Sequence, residues 1–288
     1  MTRIIESLSQ IGGDYRALFC DLWGCLHNGK AAYPAAVAAL QAFRAGGGKV
    51  CLMTNAPRPR QYVQAQLDRM GVPRDAWDVI VSSGDAAQVA MFSGQVGRKV
   101  WFIGTDKDLG FFNDIPAGYE GVQIDRVPLD RAGGIVNTGP FDEMTEVPED
   151  YRDRFADAIA RGLPMLCANP DIVVDMGETR IYCAGALAEL YQQMGGQALY
   201  FGKPHAPIYD LARAELGLGA GDRVLAVGDG IFTDVLGAAQ QGIDALFVTG
   251  GLAAEAMGPD MENPDPALLA EWLAAQGQSP QYAIGRLR

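Results

Sequence analysis

The side chains able to do chemistry gather in four short stretches. They are Ala-Leu-Phe-Cys-Asp-Leu-Trp-Gly-Cys-Leu-His-Asn-Gly at 17–29, Cys-Leu-Met-Thr-Asn at 51–55, Phe-Gly-Lys-Pro at 201–204 and Val-Gly-Asp-Gly-Ile-Phe-Thr-Asp at 227–234. They offer three carboxylates (Asp21, Asp229, Asp234), one ammonium (Lys203), a hydroxyl (Thr54) and an amide (Asn55). Carboxylates suit a hard cation, and an ammonium with neutral donors suits an anion. Each stretch alone has an ordinary explanation. An Asp after a strand usually makes a turn, Thr-Asn before a helix caps it, a single Lys is usually solvated, and Asp-Gly turns the chain.

Other chemistries fit poorly. The two histidines, His27 and His205, are too few for a His-rich metal site, so carboxylates must carry any reaction. The five cysteines lie singly inside apolar runs without a C-x-x-C pair and read as reduced core residues. A Walker A loop fails because Pro204 stands where Ser or Thr must hold magnesium. A dinucleotide fingerprint fails at Gly228-Asp229-Gly230, where Thr233 takes the third glycine position and Asp229 repels a pyrophosphate.

Apolar runs precede these stretches: Ala17–Cys20, Lys49–Met53, Val79–Val81, Lys99–Ile103, Gly134–Val136, Pro164–Cys167, Gln197–Phe201, Arg223–Val227 and Asp244–Val248. Helical patterns separate them, notably Pro34–Ala45 and about 207–216, so the chain reads as α/β with a doubly wound parallel sheet. Ligands of such sheets bind at the carboxyl ends of strands, where the polar residues fall. The stretch from about 85 to 196 has elements of its own. The expectation is a discontinuous Rossmann-like core, 1–84 and 197–288, with an inserted α/β cap domain at 85–196. Gln278–Arg288 reads as a tail or an added edge strand.

Strand–Asp, strand–Thr–Asn, Gly–Lys–Pro and strand–Gly–Asp–Gly–x–x–x–Asp, in this order, resemble the four signature motifs of the haloacid dehalogenase (HAD) superfamily. The insertion and Ala-Asn-Pro-Asp at 168–171 resemble its class IIA phosphatases. The resemblance covers about Asp14 to Leu273 and implies phosphoryl transfer through an aspartyl-phosphate on Asp21. It further implies Mg²⁺ held by Asp21, Asp229 and the backbone carbonyl of Trp23, with Asp234 as a ligand or supporting partner. Thr54, Asn55 and Lys203 bind the phosphoryl group and compensate its charge, and the cap, through residues such as Asn169, chooses the substrate.

One position departs from that pattern. The superfamily's phosphatases carry a second Asp two residues after the nucleophile as general acid and base, but this chain has Trp23, whose indole cannot give up a proton near neutral pH. His27, on the same loop, is the nearest substitute acid, or else contacts substrate or orients the lid. Trp23 closes the site against water or stacks on an aromatic leaving group. Dehalogenation, which needs no magnesium, is disfavoured by the retained Asp229 and Asp234. Phosphonate cleavage is disfavoured because Lys99 and Lys107, the insertion's only lysines, sit at ordinary solvent positions. The leading expectation is a Mg²⁺-dependent hydrolase of a small phosphorylated metabolite. The alternative is a catalytically weak HAD-like metabolite-binding or regulatory protein.

Composition sets the frame. The chain has 288 residues, 49% hydrophobic and 20% charged, enough for a large core. A formal charge of −12 without a basic cluster excludes nucleic acid as the expected partner. No apolar run reaches the ~18–20 residues of a membrane span, and residues 1–16 lack the apolar stretch of a secretory signal, so a cytoplasmic location is expected, with a homodimer compatible.

Overall fold

The computed structural model describes residues 2–176 and 179–288. In chain order the strands are β1 (Arg3–Ile4), β2 (Ala17–Cys20), β3 (Lys49–Thr54), β4 (Val79–Ser82), β5 (Lys99–Ile103), β6 (Asp125–Arg126) and β7 (Gly134–Asn137). They continue with β8 (Pro164–Cys167), β9 (Val173–Met176), β10 (Thr179–Tyr182), β11 (Gln197–Tyr200), β12 (Val224–Gly228), β13 (Asp244–Val248) and β14 (Tyr282–Ile284). The chain folds as two compact units, one of residues 1–54, 64–81 and 209–288, the other of 55–63 and 82–208.

The first unit holds a seven-stranded sheet in the order β1-β14-β13-β12-β2-β3-β4. β2 pairs in parallel with β3 on one side and β12 on the other, and β12 with β13. β3 and β4 therefore lie on one side of β2, and the late strands β12, β13 and β14, with β1 at the far edge, lie on the other, which makes the gap between the β2 and β12 tips the topological switch point. Sequence explains the centre. Ala-Leu-Phe-Cys and Val-Leu-Ala-Val-Gly are apolar without alternation and fully buried, as a strand covered on both faces must be. Phe247 on β13 stacks on Trp272 at 5.5 Å within the core of this unit. The helix Pro34–Ala45 starts at its proline and ends before Gly46, as its spacing predicts.

The second unit holds a five-stranded sheet, β11-β8-β7-β5-β6, and the antiparallel pair β9–β10. Its core packs Trp101, Tyr151, Phe155 and Tyr191, the last two edge to face at 5.1 Å. Here the structure differs from the expected boundaries. β11 pairs with β8 in the smaller sheet (Gln197 with Pro164), and residues 55–63 and 197–208 belong to the second unit. The reason is visible in β11, whose partly exposed residues suit a sheet edge, whereas the apolar core of the large sheet needs fully buried runs. Gly195-Gly196 turns the chain from a helix into that edge strand. At the other end, the segment expected as a tail or an added edge strand does form a strand, β14, but it lies inside the sheet, parallel to β13 on one side and to β1, which takes the edge, on the other.

Candidate active site

Two carboxylates stand at the switch point of the first unit. Asp21 follows β2 directly, and its N–H donates to the Val227 carbonyl of β12 at 2.8 Å, which locks the two strand tips together. Asp229 follows β12, and its Oδ2 accepts the N–H of Leu252 at 3.0 Å. Ligand atoms of Asp21, Cys25 and Asp229 all lie within 4.8 Å of one another. Close approach of the backbone makes this possible. A Cβ at Gly24 or at Gly251 would lie 2.0 Å from Asp229 Oδ2, and Gly24 also has a φ of +70°, which disfavours any side chain.

Cys25 is the member that sequence reasoning did not find. Burial first, then the charges of Asp229, Asp21 and Asp234, push its thiol pKa well above the ordinary range, so the sulfur is a neutral thiol. The remaining donors are hard carboxylate oxygens, a set that fits a hard divalent cation such as Mg²⁺ rather than a soft metal. The turn after Asp21 is closed by Leu26 and His27 N–H donating to Leu22 O, and Gly24 N–H donating to His27 O. These bonds leave the Trp23 carbonyl outside their set, as a backbone ligand needs.

Asp234 lies on a π-helical turn, Ile231–Val235. Its Oδ2 accepts from Gly230 N–H at 3.1 Å and from Thr233 Oγ1 at 3.3 Å, so it braces the loop that carries Asp229. Thr54 ends β3, next to β2, and is buried.

His27 corrects an expectation. The ring is fully buried, its Nδ1 accepts Gly29 N–H at 3.0 Å, and burial lowers its pKa to about 4. It is a neutral structural residue at pH 7, with its proton on a buried Nε2, and neither a general acid nor a substrate contact. Trp23 is its opposite, 47% exposed.

Asn55, Asn169 and Lys203 belong to the second unit. Asn55 Oδ1 accepts Lys203 N–H at 2.7 Å, while its Nδ2 donates to Lys203 O at 3.0 Å and to Asp171 Oδ1 at 2.8 Å. Both amide protons are used, so the side chain expected on the phosphoryl oxygens instead clamps the Lys203 backbone. Asn169 is also engaged internally, its Oδ1 accepting Asp171 N–H at 3.0 Å. Asn137 and Thr138 are likewise structural, bonded to Ala184 O and Asp108 Oδ2. His205 stacks on Tyr200 at 4.8 Å.

A family model described as haloacid dehalogenase-like hydrolase matches residues 18–115, and a HAD-hydrolase-like model matches 200–275. A crystal structure of a haloacid dehalogenase-like hydrolase from Brucella suis 1330 is 38% identical, covers 99% of this chain and 100% of its own, and superposes with a TM-score of 0.81. The chain belongs to the haloacid dehalogenase-like hydrolases. Another member of that fold, a glycerol phosphate phosphatase of Mycobacterium tuberculosis solved in complex with magnesium, is 24% identical with a TM-score of 0.66, covering 89% of this chain and 74% of its own. A curated relative, the 5'-nucleotidase YutF of Bacillus subtilis, is 33% identical over 120 residues, and this match spans 40% of the HAD-like chain and 46% of the relative. Among the described residues no helix is long and apolar enough to cross a membrane.

Proposed function

We propose that this HAD-like chain is a Mg²⁺-dependent phosphohydrolase of a small phosphorylated metabolite, acting through phospho-Asp21. The observation that carries the reading is the Asp21–Asp229 pair, with ligand atoms within 4.8 Å at the switch point of the sheet. Two carboxylates so close repel unless a cation or proton lies between them. The magnesium in the glycerol phosphate phosphatase relative supports the choice of ion for that fold.

Asp21, Asp229 and the Trp23 carbonyl would hold the cation, and Asp234 would brace the Asp229 loop. When bound, Mg²⁺ neutralises charge on the phosphoryl group. Asp21 attacks phosphorus in line; its Oδ–P bond forms as the bond to the leaving oxygen breaks, and water then hydrolyses the acyl phosphate and restores Asp21. The Thr54 hydroxyl and N–H groups donate to phosphoryl oxygens, and Lys203 supplies countercharge.

The leaving oxygen receives no proton from Trp23 or from the buried, neutral His27. General acid assistance is worth ~10²–10⁴ in rate, so this reading favours esters or anhydrides whose leaving group departs as an anion. Trp23 equally motivates the second reading, a binding protein with negligible turnover. A Mg²⁺-dependent screen of aryl, acyl, sugar and nucleotide phosphates separates them. Turnover abolished in Asp21→Asn supports the enzyme; ligand binding with no such turnover supports the second reading.

A further inference from the structure

Three of the four tryptophans have evident structural duties. Trp77 and Trp101 are buried, and Trp272 stacks on Phe247. Trp23 is 47% exposed, although an indole in water forgoes more burial than almost any other side chain. It is nevertheless held. The His27 ring meets it edge to face at 5.3 Å with an interplanar angle of 74°. On the same loop Gly29 lies so close that a Cβ there would come within 2.2 Å of Trp23 Cη2, at a φ of +82° that already excludes most side chains. His27 Nδ1 accepts the Gly29 N–H, which ties the two supports to each other. The orphaned, fully buried Nε2 of His27 is a cost the fold accepts for this bracket.

The backbone beneath the indole is fixed as well. Asp21 is two residues away, at most about 7 Å between Cα atoms. Gly24, the next residue, abuts the Asp229 carboxylate. A rigid aromatic side chain, half open to solvent, is therefore anchored on the backbone two residues after Asp21, next to the glycine that abuts Asp229.

We infer that Trp23 is a stacking platform, and that the substrates are phosphate compounds with a planar aromatic group next to the phosphoryl group, such as aryl phosphates, in preference to glycerol or sugar phosphates. This rests on the phosphohydrolase reading. It agrees with the replacement of a proton donor by Trp23, because an aryl oxide leaves without protonation more readily than an alkoxide. The gain is the stacking free energy of one aromatic pair, about tenfold in affinity.

The test is calorimetric binding to the Asp21→Asn protein with Mg²⁺, which separates recognition from turnover, using phenyl phosphate, glycerol phosphate and inorganic phosphate. Phenyl phosphate is expected to bind about tenfold more tightly than glycerol phosphate. Trp23→Leu should bring that ratio close to one, and Trp23→Phe should keep most of it. In the unsubstituted chain, Gly29→Ala, which displaces the indole, should lower the aryl-to-alkyl ratio of kcat/KM mainly through KM for the aryl ester. An aryl preference that survives Trp23→Leu, or no aryl preference while inorganic phosphate binds, overturns the platform. If inorganic phosphate fails to compete with phenyl phosphate, the phosphohydrolase reading falls and the platform falls with it.

Discussion

Polar residues at strand ends behave differently in the two units. In the first, Asp21 and Asp229 follow β2 and β12, and main-chain groups hold them: Asp21 through its own N–H to Val227, Asp229 through the N–H of Leu252. In the second, the buried polar side chains satisfy one another and nearby backbone. Asn55 saturates its amide on Lys203 and Asp171, and Asp108 accepts from Thr105, Thr138 and Arg58. Position at a strand tip is thus shared, but the Asp21–Asp229 pair of the first unit brings like charges together, and crowded charge calls for a ligand. The second pattern is that of a scaffold, in which these buried donors find their acceptors within the unit.

That contrast can be broken by substitution. The largest effect is expected at Asp21, where Asn should lower kcat/KM by about 10⁴-fold or more, measured in steady state with Mg²⁺. A residual rate within tenfold of the parent would remove Asp21 from the reaction.

Next is the pH dependence of stability. His27 is held neutral in the fold, with a pKa lowered from 6.5 to about 4 by burial. Between those values the unfolded chain binds the extra proton, so its contribution is intact above pH 6.5 and is lost as pH falls toward 4, about 3 kcal/mol in all. Urea unfolding at pH 7 and pH 4.5 should show that loss, and His27→Gln should reduce it.

Asn55→Ala comes third. It leaves the buried Lys203 N–H and carbonyl without their side-chain partners, and a stability loss of about 2 kcal/mol is expected in urea unfolding. Full stability with weakened phosphate affinity alone would return Asn55 to the role the sequence suggested. The smallest effect is set for Gly24→Ala, which pushes the methyl into Asp229; Mg²⁺ affinity by calorimetry should drop by about tenfold, the scale of losing support for a metal ligand.

Much of the scaffold was legible because buried parallel strands have few alternatives. Ala17–Cys20, Lys99–Ile103, Pro164–Cys167 and Asp244–Val248 are strands over the predicted residues, and Pro34–Ala45 is the predicted helix. β1 and β6, two residues each, have no period to read. β11 was visible as a strand, but its sheet was not, because an apolar run names no neighbour.

Asp21 and Asp229 stand out in sequence because a charge ends an otherwise apolar run. The support from Leu252 leaves no such mark, since a main-chain amide is the same whatever the side chain. Asn55 misled for the opposite reason: an amide at a strand end serves a ligand or a backbone equally well, and the choice depends on a lysine 148 residues away. His27 looked accessible on a loop, yet the loop folds back and encloses it.

The Leu252 amide that holds Asp229 belongs to a residue whose own side chain is 83% exposed. No replacement there, proline apart, can withdraw the donor, whereas adding or deleting one residue between β13 and position 252 would carry it out of reach. That segment should therefore tolerate wide drift in its letters and almost none in its length, so a cation site can depend on a loop in which an alphabet scan finds nothing.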